Sequence, residues 1–271
     1  MATRSWIVPG VAQHQIDDVT RLRVQLVAGS VEVRSHEAPH VWAEVTELVG
    51  NPLEMTVEGG RLTIGYPSIG WEGWVKRLRS YNSSDSAALT IYVPHGTGTS
   101  VATASADVTV RHLVEDVTVN TAAGSILLDG CRGAATLRSA SSGIVVSGHD
   151  GPLRVNAAAG RTSLAGRLPR VEVASMAGDI AVRTDSDTSK VDVSTVSGDM
   201  RVALPIGTGV SLSARSVSGA VRLDGTDHRT SGFGATTVED RTEGGICFLT
   251  ARSVSGDLDV VREPASLPRA S

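Results

Sequence analysis

A chain of 271 residues, 41% hydrophobic and 20% charged, is long enough for a large core and too apolar to be disordered. Its net charge of −4 and pI near 6.0 argue against a nucleic-acid-binding surface. Cys131 and Cys247 are too few and too far apart for a disulfide framework or a CxxC metal pair, and read as small buried hydrophobes.

The N-terminal MATRSWIVPGVAQHQ has no apolar stretch of signal-peptide length, and no run approaches the ~20 apolar residues of a membrane span. The expected location is the cytoplasm. Strand patterns follow at Leu22 to Leu26, Val31 to Val33, Val41 to Val45, Leu53 to Val57, Leu62 to Ile64 and Leu89 to Val93. Met55 to Ile64 (MTVEGGRLTI) reads as a hairpin turning at Gly59-Gly60. Residues 1–100 are expected to form a first rung, with its corner at Gly29, and a β cap over one end of a stack. An uncovered terminal rung would be an open edge.

Seven of the nine aromatic residues fall within residues 1–92, where a less regular cap has room for bulk. Three of them lie in 68–86 (SIGWEGWVKRLRSYNSSDS), a Trp-rich basic insertion. Trp71, Trp74, Lys76, Arg77, Arg79 and Tyr81 make it the candidate interaction arm, with apolar offsets that suit one or two turns of amphipathic helix. The alternative is a loop whose tryptophans dock on the cap or the rungs.

Residues 101–262 carry a recurring cassette. An aliphatic-polar-aliphatic triplet such as Val171-Glu172-Val173 or Val191-Asp192-Val193 leads into Ser-Gly-Asp or a relative. A second triplet follows, such as Ile180-Ala181-Val182 or Met200-Arg201-Val202. Period-two alternation points to strands with one face buried. The corner residue recurs at Ala106, Gly124, Gly143, Gly160, Gly178, Gly198 and Gly219 with spacings of 17 to 21 residues, then at Gly256 after 37. A steady period of this size predicts an all-β, single-chain β-solenoid (β-helix) with rungs of ~18–20 residues. One rung at ~3.3 Å per residue traces a circuit of ~60 Å, a narrow tube filled by Val, Ile and Leu. An antiparallel meander folded into a sandwich needs neither the period nor a repeated corner. The corner residues Gly124, Gly178, Asp179, Gly198, Asp199, Gly219, Gly256 and Asp257 read as turn-formers. Glycine supplies the backbone conformation, and aspartate accepts from nearby amides. Within the long gap, 225–243 reads as a polar loop or projecting hairpin, and Ile246 to Leu249 restart a strand. Pro264 and Pro268 make 263–271 a tail.

No phosphate loop, no GxSxG elbow and no metal-ligand spacing among the seven histidines can be found, so no catalytic, cofactor or metal residue is assigned. Asp107, Asp179, Asp199 and Asp257 are the one tempting set. Stacked on adjacent rungs, such carboxylates would lie only ~5 Å apart, close enough for Ca²⁺ or for acid/base work on a glycan. Ser125, Ile144, Arg161 and Ala220 interrupt the column, and turn chemistry accounts for the aspartates without a site. The calcium-binding nonapeptide and the six-residue sub-period of hexapeptide acyltransferases are absent.

The copies TVSGDMRV (195–202), SVSGAVRL (216–223) and SVSGDLDV (253–260), with the upstream LTIYVPHGTGTSVATASADVTV (89–110), resemble the putative adhesin family of bacterial β-strand-repeat proteins, a domain-of-unknown-function family. The resemblance spans nearly the whole chain and is weakest at 66–88. It implies a β-solenoid and carries over no catalytic residues. Members often bear an anchor or an export signal, and neither is seen here, which points to an internal role. The expected function is a non-enzymatic scaffold or adhesin-like binding module with a protein or glycan partner and no cofactor. The alternatives are a self-assembling, bactofilin-like rod and a carbohydrate-active enzyme using the corner aspartates.

Overall fold

A computed structural model describes residues 3–66, 85–228, 235–240 and 245–264. Every regular element among them is a β-strand, and the chain divides into two compact units, Met1–Gly133 and Ala134–Ser271. The fold is the all-β solenoid that the cassette predicts.

The first unit contains β1 (Arg4–Val8), β2 (Ala12–Ile16), β3 (Arg21–His36), β4 (Val41–Val49), β5 (Leu53–Glu58) and β6 (Arg61–Gly65). It continues with β7 (Ser86–Pro94), β8 (Gly98–Arg111), β9 (Val117–Thr121) and β10 (Ile126–Asp129). Strand β3 shows what a rung is. Leu22, Val24 and Leu26 are buried, then Val31 and Val33, so the inward positions change from even to odd across Gly29. Such a phase slip is what a strand needs to turn a corner and keep its aliphatic side inward. The first half of β3 pairs in parallel with β6 and β8, and the second half with β7 and β8. Strands β9 and β10 extend the two resulting sheets in parallel. On the other side the pairing turns antiparallel, with β6–β5–β1 in one sheet and β7–β4–β2 in the other. These four antiparallel strands are the N-terminal β cap, and β5–β6 is the hairpin at Gly59-Gly60.

The second unit contains β11 (Ala135–Ser139), β12 (Ile144–Asp150), β13 (Leu153–Ala157), β14 (Thr162–Arg167), β15 (Arg170–Ala177), β16 (Ile180–Thr184) and β17 (Ser189–Ser197). It continues with β18 (Met200–Pro205), β19 (Gly209–Ser218), β20 (Val221–Leu223), β21 (Thr226–Asp227), β22 (Ala235–Asp240), β23 (Ile246–Ser255) and β24 (Leu258–Glu263). Odd-numbered β11, β13, β15 and β17 build one parallel sheet, and β12, β14, β16 and β18 the other. Leu137, Val155, Val173 and Val193 from the first, with Ile144, Leu164, Val182 and Val202 from the second, fill the interior.

The stack then departs from sequence order. The rung β23–β24, made last, lies between β17–β18 and β19–β20. The earlier rung β19–β20 sits one place further out and ends in the antiparallel strands β22 and β21. This accounts for the doubled spacing between Gly219 and Gly256. Electrostatics favour this order. Asp259 pairs in register with Arg201 on one side and Arg222 on the other, whereas stacking in sequence order would set the two arginines side by side.

Candidate functional site

Corner residues of successive rungs lie directly upon one another. In the second unit a β-carbon built on Gly178 would fall 2.3 Å from the Gly160 carbonyl oxygen. One on Gly198 would fall 2.4 Å from that of Gly178, and one on Gly256 would fall 2.1 Å from that of Gly198. Gly219 stands on Gly256 in the same way, following the altered rung order. In the first unit Gly124 stands on Ala106.

The corner aspartates bond from rung to rung. Asp179 Oδ1 accepts the Asp199 amide at 3.3 Å, Asp199 Oδ1 accepts the Asp257 amide at 2.9 Å, and Asp257 Oδ1 accepts the Ala220 amide at 2.8 Å. Asp107 Oδ1 accepts the Ser125 amide at 2.7 Å and the Ser125 hydroxyl at 2.8 Å. Second oxygens meet cations, Asp179 with Arg161 at 3.3 Å and Asp257 with Arg222 at 3.2 Å. Replacing Asp199 with alanine is expected to lower stability by about 1 kcal/mol in urea denaturation, the net worth of one such bond. An unchanged midpoint would remove the inter-rung role.

A second column runs just inside the first. Thr103 and Thr121 donate to the carbonyls of Ala106 and Ala123, at 3.2 and 2.9 Å. In the second unit Ser175 and Thr195 donate to those of Ala177 and Ser197, at 3.2 and 3.0 Å. Each hydroxyl gives a corner carbonyl a hydrogen-bond donor, and the Ser197 carbonyl also accepts the Gly178 amide of the neighbouring rung at 3.2 Å.

Outward residues of the sheet β13–β15–β17–β23 enclose a shallow depression of about 290 Å³. Ala174 and Ser194 form its low centre, with Arg154, Asn156, Glu172, Asp192 and Arg252 around them. Glu172 is gripped by Arg170, at 3.0 Å from its Nε, and by Arg154, at 2.9 Å from its Nε. These hydrogen bonds, that of Arg170 foremost, hold its carboxyl below the usual carboxylate range. Lys190 lies 3.5 Å from Asp192.

Among the described residues no group of three or more His, Cys, Asp or Glu could hold a metal ion, and no helix is long and apolar enough to cross a membrane. His36 Nε2 donates to the His40 carbonyl at 2.7 Å. Cys131 and Cys247 are buried free thiols, and burial pushes both above the usual thiol range.

The chain matches the Toastrack DUF4097 family over residues 19–261. It belongs to that family. No protein of curated function matches it. Among solved structures, this Toastrack chain is similar to a putative lipid binding protein from Parabacteroides distasonis, with 16% identity, 92% and 96% of the two chains covered, and a TM-score of 0.47. A putative adhesin from Bacteroides fragilis aligns with 10% identity, 92% and 96% coverage and a TM-score of 0.42. A putative cell adhesion protein from Clostridium sporogenes aligns with 13% identity, 93% and 100% coverage and a TM-score of 0.31.

Of the residues singled out from the Toastrack sequence, the structure brings Gly178, Asp179, Gly198, Asp199, Gly219, Gly256 and Asp257 into one corner column, with Gly124 in that of the first unit. Trp71, Trp74, Lys76, Arg77, Arg79 and Tyr81 lie outside the described residues. Sequence reasoning missed the hydroxyl column and the depression. The first had a signal, a Ser or Thr three residues before the corner in most rungs. The second had none, because it depends on which outward residues meet across rungs.

Proposed function

We propose that this Toastrack chain is a non-enzymatic binding scaffold whose contact element is the Trp-rich basic insertion at 68–86. One observation carries the proposal. Strands β6 and β7 pair with the two halves of β3 as one continuous rung, Gln25 opposite Gly65 and Ala28 opposite Ser86. Between those two places β3 has only Leu26 and Val27, whereas residues 66–85 separate β6 from β7 in the sequence. The extra residues are therefore not required to close the rung. Their two ends are pinned. Tyr66 and Asp85 are buried, and Asp85 accepts from the Asn51 amide at 2.9 Å and from its side chain at 3.0 Å. A long insertion on a rigid frame is a common place for recognition. Two tryptophans, a tyrosine and three cations are the residues that dominate contact surfaces.

The corner carboxylates support a scaffold over an enzyme, since each is committed to holding the next rung. Antiparallel strands at the ends of the sheets, β1 and β2 in the first unit and β21 and β22 in the second, weigh against a rod that grows by adding parallel rungs.

Deleting residues 70–82 is expected to leave the thermal transition within a few degrees of the intact chain and to abolish capture of a partner that the intact chain crosslinks in its own cells. The same crosslinked species at the same yield from both forms would overturn the proposal. A large loss of stability would show instead that Trp71 and Trp74 are packing residues.

A further inference from the structure

A like-charge pair stands at one end of the depression on the second unit. Arg215 and Arg252 are opposite one another in register on the adjacent strands β19 and β23, one strand spacing apart, and both are exposed. Neither has an ion-pair or hydrogen-bond partner among the described residues. Cations set directly opposite each other repel, and a protein of net charge −4 has carboxylates to spare for such a place. The surrounding face is cationic. Along its outward rows lie Arg138, Arg154, Arg170, Lys190, Arg252 and Arg215, against Glu172, Asp192 and Glu239.

The depression leads away from that pair. Arg252 forms its near wall, with Thr250 and Ser194 beside it. Asn156, Glu172 and Asp192 are among the residues that line the rest, alternating with Val155, Val173 and Val193. The two carboxylates are held in place by Arg154, Arg170 and Lys190, so they present fixed acceptors. A polyphosphate would meet the two arginines well and then be repelled by Glu172 and Asp192. A peptide with several acidic side chains would meet the same repulsion. Hydroxyl groups suit the middle of the depression, because they donate to carboxylates and accept from the Asn156 amide and from guanidinium groups.

We infer that this face binds an acidic glycan. A uronate carboxylate sits between Arg215 and Arg252, and the neighbouring sugar hydroxyls lie over Ser194, Asp192 and Glu172. The site is independent of the 68–86 insertion, so it stands or falls apart from the proposed contact element.

The test uses the full chain and an aldotetraouronic acid, one glucuronate on three neutral xyloses, in a calorimetric or NMR titration. Saturable binding that weakens with added salt is expected. The double variant Arg215→Gln/Arg252→Gln should bind at least about tenfold more weakly, in line with two lost charge-assisted hydrogen bonds. Both side chains are exposed, and circular dichroism checks that the variant is folded. Arg215→Gln alone should raise the thermal midpoint without ligand, since it relieves the repulsion, and should lose most of the midpoint rise that the aldotetraouronic acid gives the unaltered chain. The inference is overturned by no saturable binding, by equal binding of maltotetraose, or by undiminished binding in the double variant. Competition at equal affinity by inorganic phosphate would make this a simple anion site, and by poly-glutamate a peptide site. Either would also overturn it.

Discussion

Replacing Gly178 with alanine is expected to destabilise the protein by roughly 3 kcal/mol or more, from a positive-φ penalty of about 1–3 kcal/mol and a steric clash added to it. Gly178 has φ +112°, where a side chain is strained, and its new β-carbon would meet the Gly160 carbonyl oxygen at 2.3 Å and the carbonyl carbon at 2.8 Å. Neither atom can yield without opening the ladder between two rungs. Gly207 supplies the control. Its φ is +86°, but nothing lies within 4 Å of its β-carbon position, so alanine there should cost only about 1 kcal/mol. Urea denaturation of the two variants separates conformational strain from rung-on-rung contact. Equal losses would mean that glycine is needed at the corners for backbone conformation alone, and that their close stacking contributes little.

Ending the chain after residue 244 is expected to have the largest effect of any change considered, lowering the thermal midpoint by roughly 10 °C or more. In an ordinary solenoid, removal of the last rung shortens the stack by one layer. Here it empties the place between β17–β18 and β19–β20. Buried Leu249, Ala251, Leu258 and Val260 are lost, and the aliphatic residues of β19 and β20 lose the layer they rest on. Hydrogen exchange should therefore show loss of amide protection through residues 209–227, well upstream of the cut, with protection kept in β11 to β16. Retained protection in 209–227 would show that this rung can move inward and dock on β17–β18, with Arg222 then beside Arg201.

Most of the architecture was legible in the sequence because a solenoid repeats its local chemistry. The triplet Val191-Asp192-Val193, the corner at Gly198 and the triplet Met200-Arg201-Val202 state two strands and a turn. Their recurrence every 17 to 21 residues between Ala106 and Gly219 states that the rungs stack. The gap from Gly219 to Gly256 gave no hint of rung order. Both cassettes, SVSGAVRL and SVSGDLDV, fit any place in the column. The alternation of Arg201, Asp259 and Arg222 across strands and the aspartate bonds from Asp199 through Asp257 to Ala220 distinguish the orders, and both become visible once register is known. The candidate sites divide in the same way. Corner aspartates are local and could be read as turn residues. The pairing of Arg215 with Arg252 follows the same 37-residue offset as Gly219 and Gly256, each arginine standing four residues before its corner, but which other outward residues surround the pair depends on register. The insertion at 68–86 stood out by composition, but that its flanking strands β6 and β7 continue one rung beside β3 followed from register alone.

The place of β23–β24 bears on how the protein is made. A ribosome delivers residues 209–227 before residues 246–263 exist, so the rungs of the second unit cannot be added one after another as they emerge. The earlier segment must wait undocked, or dock and withdraw, until the C-terminal strands arrive. The closing step of folding in this unit thus waits for residues 246–263, and a nascent chain stalled before them would expose the open flank of β17 and β18 to any other unpaired strand nearby.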